Sequence, residues 1–208
     1  VGFFQDGGLF MYPIVIVLAI GAAIAIERWI YLTKASVSNQ ALWKQITPYL
    51  KAGKFSEAVS VTSKSTAAIA TVLSYGLKRS ESARRRDDVQ QAMEESLMEV
   101  MPRLEKRTHY LATFANIATL LGLLGTIIGL INAFTAVSGA NPAEKADLLS
   151  ASISVAMNTT AFGLMVAIPL LLVHTILQTK TTELVDSLEM ASVKFLNTVY
   201  DTKSVEAE

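Results

Sequence analysis

The sequence predicts an all-α membrane protein with three transmembrane helices, spans two and three being extended into long cytoplasmic helices. Three observations carry that reading. Of 208 residues 51% are hydrophobic and only 17% charged, against about 25% charged in an ordinary soluble domain. The charges are absent from three long stretches and crowded elsewhere. Thirteen of the eighteen Lys and Arg fall in one segment, Leu32 to His109.

The balance of the whole is also informative. Eighteen basic residues match eighteen acidic ones, which argues against a globally basic nucleic-acid binder and against an acidic disordered tail. With no Cys, a disulfide scaffold, a zinc ribbon and a thiol nucleophile are excluded.

A bilayer core needs about 20 apolar residues in helical form. Gly7 to Ile26 is uncharged and ends at Glu27-Arg28-Trp29, with Tyr31 beside it, the aromatic and charged fringe of a membrane interface. We therefore read Glu27, Arg28 and Trp29 as the membrane anchor. A cleaved signal peptide is disfavoured, because Asp6 stands where a basic n-region belongs and no small-residue cleavage site precedes the fringe. The chain begins at Val1 rather than Met, which leaves room for an upstream segment. Tyr110 to Ala143 is uncharged for 34 residues and Leu148 to Thr179 for 32, so tilt or protrusion is expected of both.

Orientation follows from the basic residues. The loop between spans two and three holds Lys145 as its single basic residue. By the positive-inside rule the long loop and the tail (Lys180, Lys194, Lys203) are cytoplasmic, with the N-terminus on the other side. The resulting division is 1–8 a periplasmic stub, 9–31 transmembrane helix 1, 32–109 a cytoplasmic helical domain, 110–137 transmembrane helix 2, 138–149 a short periplasmic loop, 150–177 transmembrane helix 3, and 178–208 a cytoplasmic C-terminal helix.

The long loop carries its own helical signals. Leu42, Ile46 and Leu50 keep helical spacing, Lys51-Ala52-Gly53-Lys54 is a break, and Phe55 to Val61 resumes. Asp87-Asp88-Val89-Gln90 is an acidic variant of the capping box. From there Val89, Met93, Leu97 and Met101 recur every four residues as a packing stripe. Pro102 should bend this helix without necessarily ending it. Continued through span two, the helix from Asp88 to Val137 would be about 75 Å long. In the tail, Leu184, Leu188 and Phe195 with Glu183, Asp186, Glu189 and Lys194 read as an amphipathic helix prolonging span three.

Span two carries Gly122, Gly125 and Gly129 at i, i+3 and i+7, a stripe on which another backbone can approach closely. Thr126 and Asn132 lie in the same span, and span three holds Ser150, Ser152, Ser154, Asn158, Thr159, Thr160 and then Pro169. Polar side chains in hydrocarbon need a neighbour, water or an ion. Bonding back to the i−4 carbonyl, or packing helix to helix, satisfies them equally well on periodicity alone. The two long runs contain no Asp, Glu, Lys or Arg. A proton carrier must titrate in a useful range, which a Thr hydroxyl does not. His174 and His109 read better as interfacial or packing residues. If ions cross, the carboxylate comes from another chain. No phosphate loop, His-rich metal cluster or Ser/His/Asp arrangement appears, so the chain is not expected to be an enzyme, and no cofactor or resident metal is expected.

Gly122-Leu-Leu-Gly-Thr-Ile-Ile-Gly-Leu-Ile-Asn-Ala-Phe134, together with Ala161-Phe-Gly-Leu-Met-Val-Ala-Ile-Pro169, resembles the MotA/TolQ/ExbB family, and ExbB and TolQ most. Glu27-Arg28 and Leu104-Glu105 extend the likeness, which runs from Leu9 to about Leu196. A three-span layout is similar to ExbB and TolQ, whereas MotA-type flagellar stators have an additional span. The resemblance implies a homopentamer around a dimer of a single-span, aspartate-bearing partner like ExbD or TolR, in the bacterial inner membrane. It implies that proton or sodium flow past that aspartate drives outer-membrane transport or envelope processes, with a TonB-like or TolA-like protein and membrane lipids as further partners and no nucleic acid. By position Thr126 and Thr160 match the family's ion-path threonines, with Thr159 and Asn158 beside them. Gly122, Gly125, Gly129, Gly163 and Pro169 match its helix-packing residues.

Three departures bear on the ion. Val155 stands where ExbB and TolQ often carry an acid, and Thr119 where proline is frequent. Thr159 replaces a common alanine, and a Thr-Thr pair there is similar to sodium-driven stators. Sodium held by Thr126, Thr159 and Thr160 with a partner Asp therefore stands beside proton transfer. A flagellar-type stator subunit and a non-conducting membrane scaffold are the alternative readings.

Overall fold

The computed structural model describes residues 8–82, 85–139 and 141–205. Residues 1–7, 83–84, 140 and 206–208 lie outside them. Six helices follow one another: α1 (Met11–Lys51), α2 (Phe55–Ser63), α3 (Ala68–Ser82), α4 (Arg86–Glu105), α5 (Thr108–Ser138) and α6 (Lys145–Val205). Among the described residues there is no strand. Three helical stretches, in α1, α5 and α6, are long and apolar enough to cross a membrane.

The chain divides into two compact units. One comprises residues 1–28 and 107–176 and contains the first two uncharged runs and the third as far as Ile176. Its α5 buries Leu111, Ala115, Ala118, Gly122, Gly125 and Ala133, a stripe almost wholly of small residues. Their large neighbours Leu120, Leu123, Ile127, Ile131 and Phe134 are exposed. This inverts a soluble helix: with lipid-like surroundings outside, close backbone approach rather than bulk decides which face packs inward. On α6, Ala156, Thr159, Gly163, Val166 and Leu170 are buried at spacings of three and four. From α1, Gly21 packs so closely that a Cβ there would stand 2.8 Å from Leu170 Cδ2.

The second unit comprises residues 29–106 and 177–208. Its core is conventional, with Leu42, Ile46, Leu73, Leu77, Met93, Leu104, Leu188 and Phe195 all nearly or fully buried. Gly76 on α3 lets the chain press on α4 and α6, since a Cβ there would meet Met93 Sδ at 2.7 Å and Phe195 Cε1 at 2.9 Å. The break after α1 is a Schellman cap. Gly53 takes φ +70, Lys54 N–H donates to Tyr49 O (3.0 Å) and Gly53 N–H to Leu50 O (3.2 Å). Asn39, buried on α1, accepts from Ile69 N–H at 3.2 Å. It thus caps α3 from another helix.

Two expectations need correction. The four-residue stripe does not hold along α4, where Val89, Met93, Leu97, Val100 and Leu104 are buried and Met101 is half-exposed. Steps of four overshoot the 3.6-residue turn by about 40° each, so the packed face shifts from Met101 to Val100 and Leu104. Nor do α4 and α5 form one helix. Pro102 sits inside α4, which ends at Glu105, and the interruption is at Lys106–Arg107, where Arg107 takes a left-handed φ of 67.

Candidate functional site in the apolar spans

The inward stripe of α5 brings two hydroxyls together. Thr126 and Thr160 Oγ1 are in direct hydrogen-bond contact, and either can donate. Thr160 donates to Gly122 O at 2.9 Å, and Thr126 reaches Gly122 O at 3.3 Å and Ala156 O at 3.4 Å. Four oxygens from α5 and α6 therefore converge within a few ångströms. Each hydroxyl has one proton and two lone pairs, so after donating once it keeps acceptor capacity for a cation or for a protonated carboxyl.

Glycine makes the convergence feasible. A Cβ on Gly163 would stand 2.7 Å from Ala118 O and 3.1 Å from Gly122 Cα, and one on Gly122 would stand 3.2 Å from Thr160 Cα. These are backbone contacts, which cannot swing aside. At Gly129 the neighbour is Ala156 Cβ at 2.7 Å.

The other site residues are placed differently. Thr159 is 2% exposed, its methyl lies 2.5 Å from where a Gly125 Cβ would stand, and its hydroxyl donates to Val155 O at 3.0 Å. Asn158 is half-buried and lies about 160° round the helix from Thr160. It is not brought into the hydroxyl pair. Pro169 is an exposed residue inside α6, and Asn132 is exposed on α5.

At the end of the first apolar run, Glu27 accepts from Arg107 Nη1 at 3.2 Å, with both side chains about half exposed. Arg28 is 3% exposed, turned inward where the sequence suggested an interfacial residue. Trp29 has Lys180 Nζ 3.6 Å from its ring centroid. His109 lies against Tyr110, ring centroids 4.3 Å apart. Among the described residues no three His, Asp or Glu side chains gather as a metal site.

Comparison with known proteins gives this arrangement its context. The MotA/TolQ/ExbB proton channel family matches residues 64–190, well over half of the chain. The chain belongs to that family. An ExbB homologue named for biopolymer transport, from Methanothermobacter thermautotrophicus, is 29% identical over 207 residues, spanning 99% of this chain and 72% of its own length. The Tol-Pal system protein TolQ of Haemophilus influenzae is 39% identical over 71 residues, 34% of this chain and 31% of TolQ. A biopolymer transport protein of ExbB type from Vibrio cholerae is 45% identical over 53 residues, 26% of this chain and 23% of its own. The likeness is thus to ExbB and TolQ, and the MotA/TolQ/ExbB match takes in α5 and the apolar part of α6, where the two threonines meet.

Proposed function

We propose that this chain is the inner-membrane subunit of an ion-driven motor of ExbB/TolQ type. In this reading several copies, five by family resemblance, surround single-span partners of ExbD or TolR type. Each partner brings an aspartate to the Thr126–Thr160 pair, and proton or sodium motive force is converted into work on outer-membrane transport or the envelope. The observation that carries it is the hydroxyl pair, seated at a glycine-lined crossing of two spans that hold no Asp, Glu, Lys or Arg. Hydroxyl and carbonyl oxygens suit hard cations, and the same hydroxyls relay a proton to and from a neighbouring carboxylate. The charge distribution supports an N-terminus outside and a C-terminus in the cytoplasm.

The competing reading is a non-conducting scaffold. What favours it is that both hydroxyls already reach the Gly122 carbonyl, so helix packing alone satisfies them. Energy-dependent envelope function in cells separates the two. Loss of that function in Thr126→Val and Thr160→Val, with normal membrane levels of the protein, is expected of the motor. Full function in both single variants and in the double variant would sink it. Dependence on sodium at fixed pH identifies sodium as the coupling ion, and indifference to sodium identifies the proton.

A further inference from the structure

Two uncharged runs end near one pocket of mixed lining. Trp29 follows the first run, and Lys180 is the first charge after the run that closes at Thr179, so both mark a membrane boundary. Lys180 Nζ lies 3.6 Å from the Trp29 ring centroid and donates to Thr33 Oγ1 at 3.4 Å. A lysine at a membrane surface ordinarily swings its head freely into water. Here a cation–π contact and a hydroxyl hold it in place. Beside it is a pocket of about 250 Å³, whose polar groups are Thr33, Ser36 and Gln40 from α1 and Lys180, Glu183 and Ser187 from α6, set among the apolar Leu32, Val37 and Leu184. That suits a small polar headgroup better than a drug-sized ligand. Glu183 is one turn beyond Lys180, about 4.5 Å farther from the apolar run. Among the described residues these two opposite charges, three apart on one helix, form no ion pair with each other.

We propose that this pocket binds the headgroup of phosphatidylethanolamine. The phosphate accepts from Lys180 and from the Thr33 and Ser36 hydroxyls. The ammonium, one two-carbon linker farther from the acyl chains, donates to Glu183. The order of charges along α6 matches the order along the lipid: apolar run, cation for phosphate, then acid for amine. Phosphatidylglycerol offers Glu183 no cation, and the quaternary nitrogen of phosphatidylcholine has no N–H to donate, so the pocket selects by chemistry rather than by charge alone. The recognised group is phosphoethanolamine, which a soluble metabolite also carries.

The test uses the full chain with its co-purifying partners in nanodiscs of equal parts phosphatidylethanolamine, phosphatidylglycerol and phosphatidylcholine. Native mass spectrometry counts the lipids retained on release, and the subunit count reports that the assembly is intact. Retained phosphatidylethanolamine should exceed either other lipid by about fivefold or more, and Lys180→Gln should lower it by about tenfold. Lys180→Arg, which keeps the charge, should retain most of it. The exposed Glu183→Gln change should abolish the preference over phosphatidylglycerol while leaving phospholipid bound. Equal retention of the three lipids by the unaltered protein, or an unchanged preference in Glu183→Gln, overturns the assignment. A large excess of soluble phosphoethanolamine should leave the lipid in place, and displacement of the lipid would overturn the membrane as the source.

Discussion

At Gly163 the nearest neighbours of an added methyl are backbone atoms, Ala118 O and Gly122 Cα. Gly163→Ala should therefore force α5 and α6 apart and cost about 1–3 kcal/mol. Gly139, where a Cβ meets nothing within 4 Å, is the matched control, and its Ala variant should stay within about 0.5 kcal/mol. Thermal unfolding of the two variants in one detergent compares them directly. Gly125 differs, because its neighbour is the Thr159 methyl. Gly125→Ala alone should destabilise, and adding Thr159→Ser, which removes that methyl, should recover most of the loss. A double-mutant cycle measures the coupling, and simple additivity would contradict the packing described. The glycine stripe and the two threonines are legible in the sequence because spacing along one helix face is a local property. Ala115, Ala118 and Ala133, which complete the stripe, are not. Alanine is common on every face of a membrane helix, and only the partner's position tells which alanines face inward. Buried Arg28 escapes for a similar reason, since a charge beside Glu27 and Trp29 reads as interfacial until the tertiary fold takes it in.

Element boundaries depend on caps, and here the caps come from both near and far in sequence. Gly53 is readable as a stop because the left-handed position after a helix favours glycine. Gly53→Ala should cost about 1 kcal/mol in the unit that contains it, from the positive φ alone. Asn39 as the cap of α3 is invisible in sequence, thirty residues from the N–H it receives. Asn39→Ala should cost about 1 kcal/mol and raise amide hydrogen exchange in the first turn of α3 more than elsewhere. Unchanged exchange there would contradict the cap. The interruption at Arg107 shows the limit of pattern reading. Pro102 advertises a weak point, yet proline still fits within α4, and the chain turns five residues later through a left-handed arginine that no propensity favours. Near the end of α6, burial, and then the Asp88 carboxylate, push the Tyr200 hydroxyl above its ordinary value of 10.0. A raised value means the folded state holds its proton after the unfolded chain has lost it. Stability is thus intact below pH 10 and falls as pH rises through and beyond that value. Tyr200→Phe should flatten this part of the alkaline limb in pH-dependent unfolding.

For the whole molecule, the distribution of charge says more than its zero sum. Uncharged runs and a basic loop define the membrane segments and point to an orientation, and the family match agrees with the motifs in α5 and α6. The spans offer hydroxyls and carbonyls and hold no Asp, Glu, Lys or Arg, and the motor proposed above has a partner bring the titrating group. That division of labour is the central claim, and ion flux measures it most directly. The chain should be reconstituted in liposomes with the single-span protein that the proposal requires to co-purify with it, under an imposed potential, and proton and sodium entry followed separately. Replacing both hydroxyls, Thr126→Val with Thr160→Val, should lower the flux by about tenfold or more while the assembly and its helicity stay intact. An undiminished flux of both ions through the doubly substituted complex would contradict the claim.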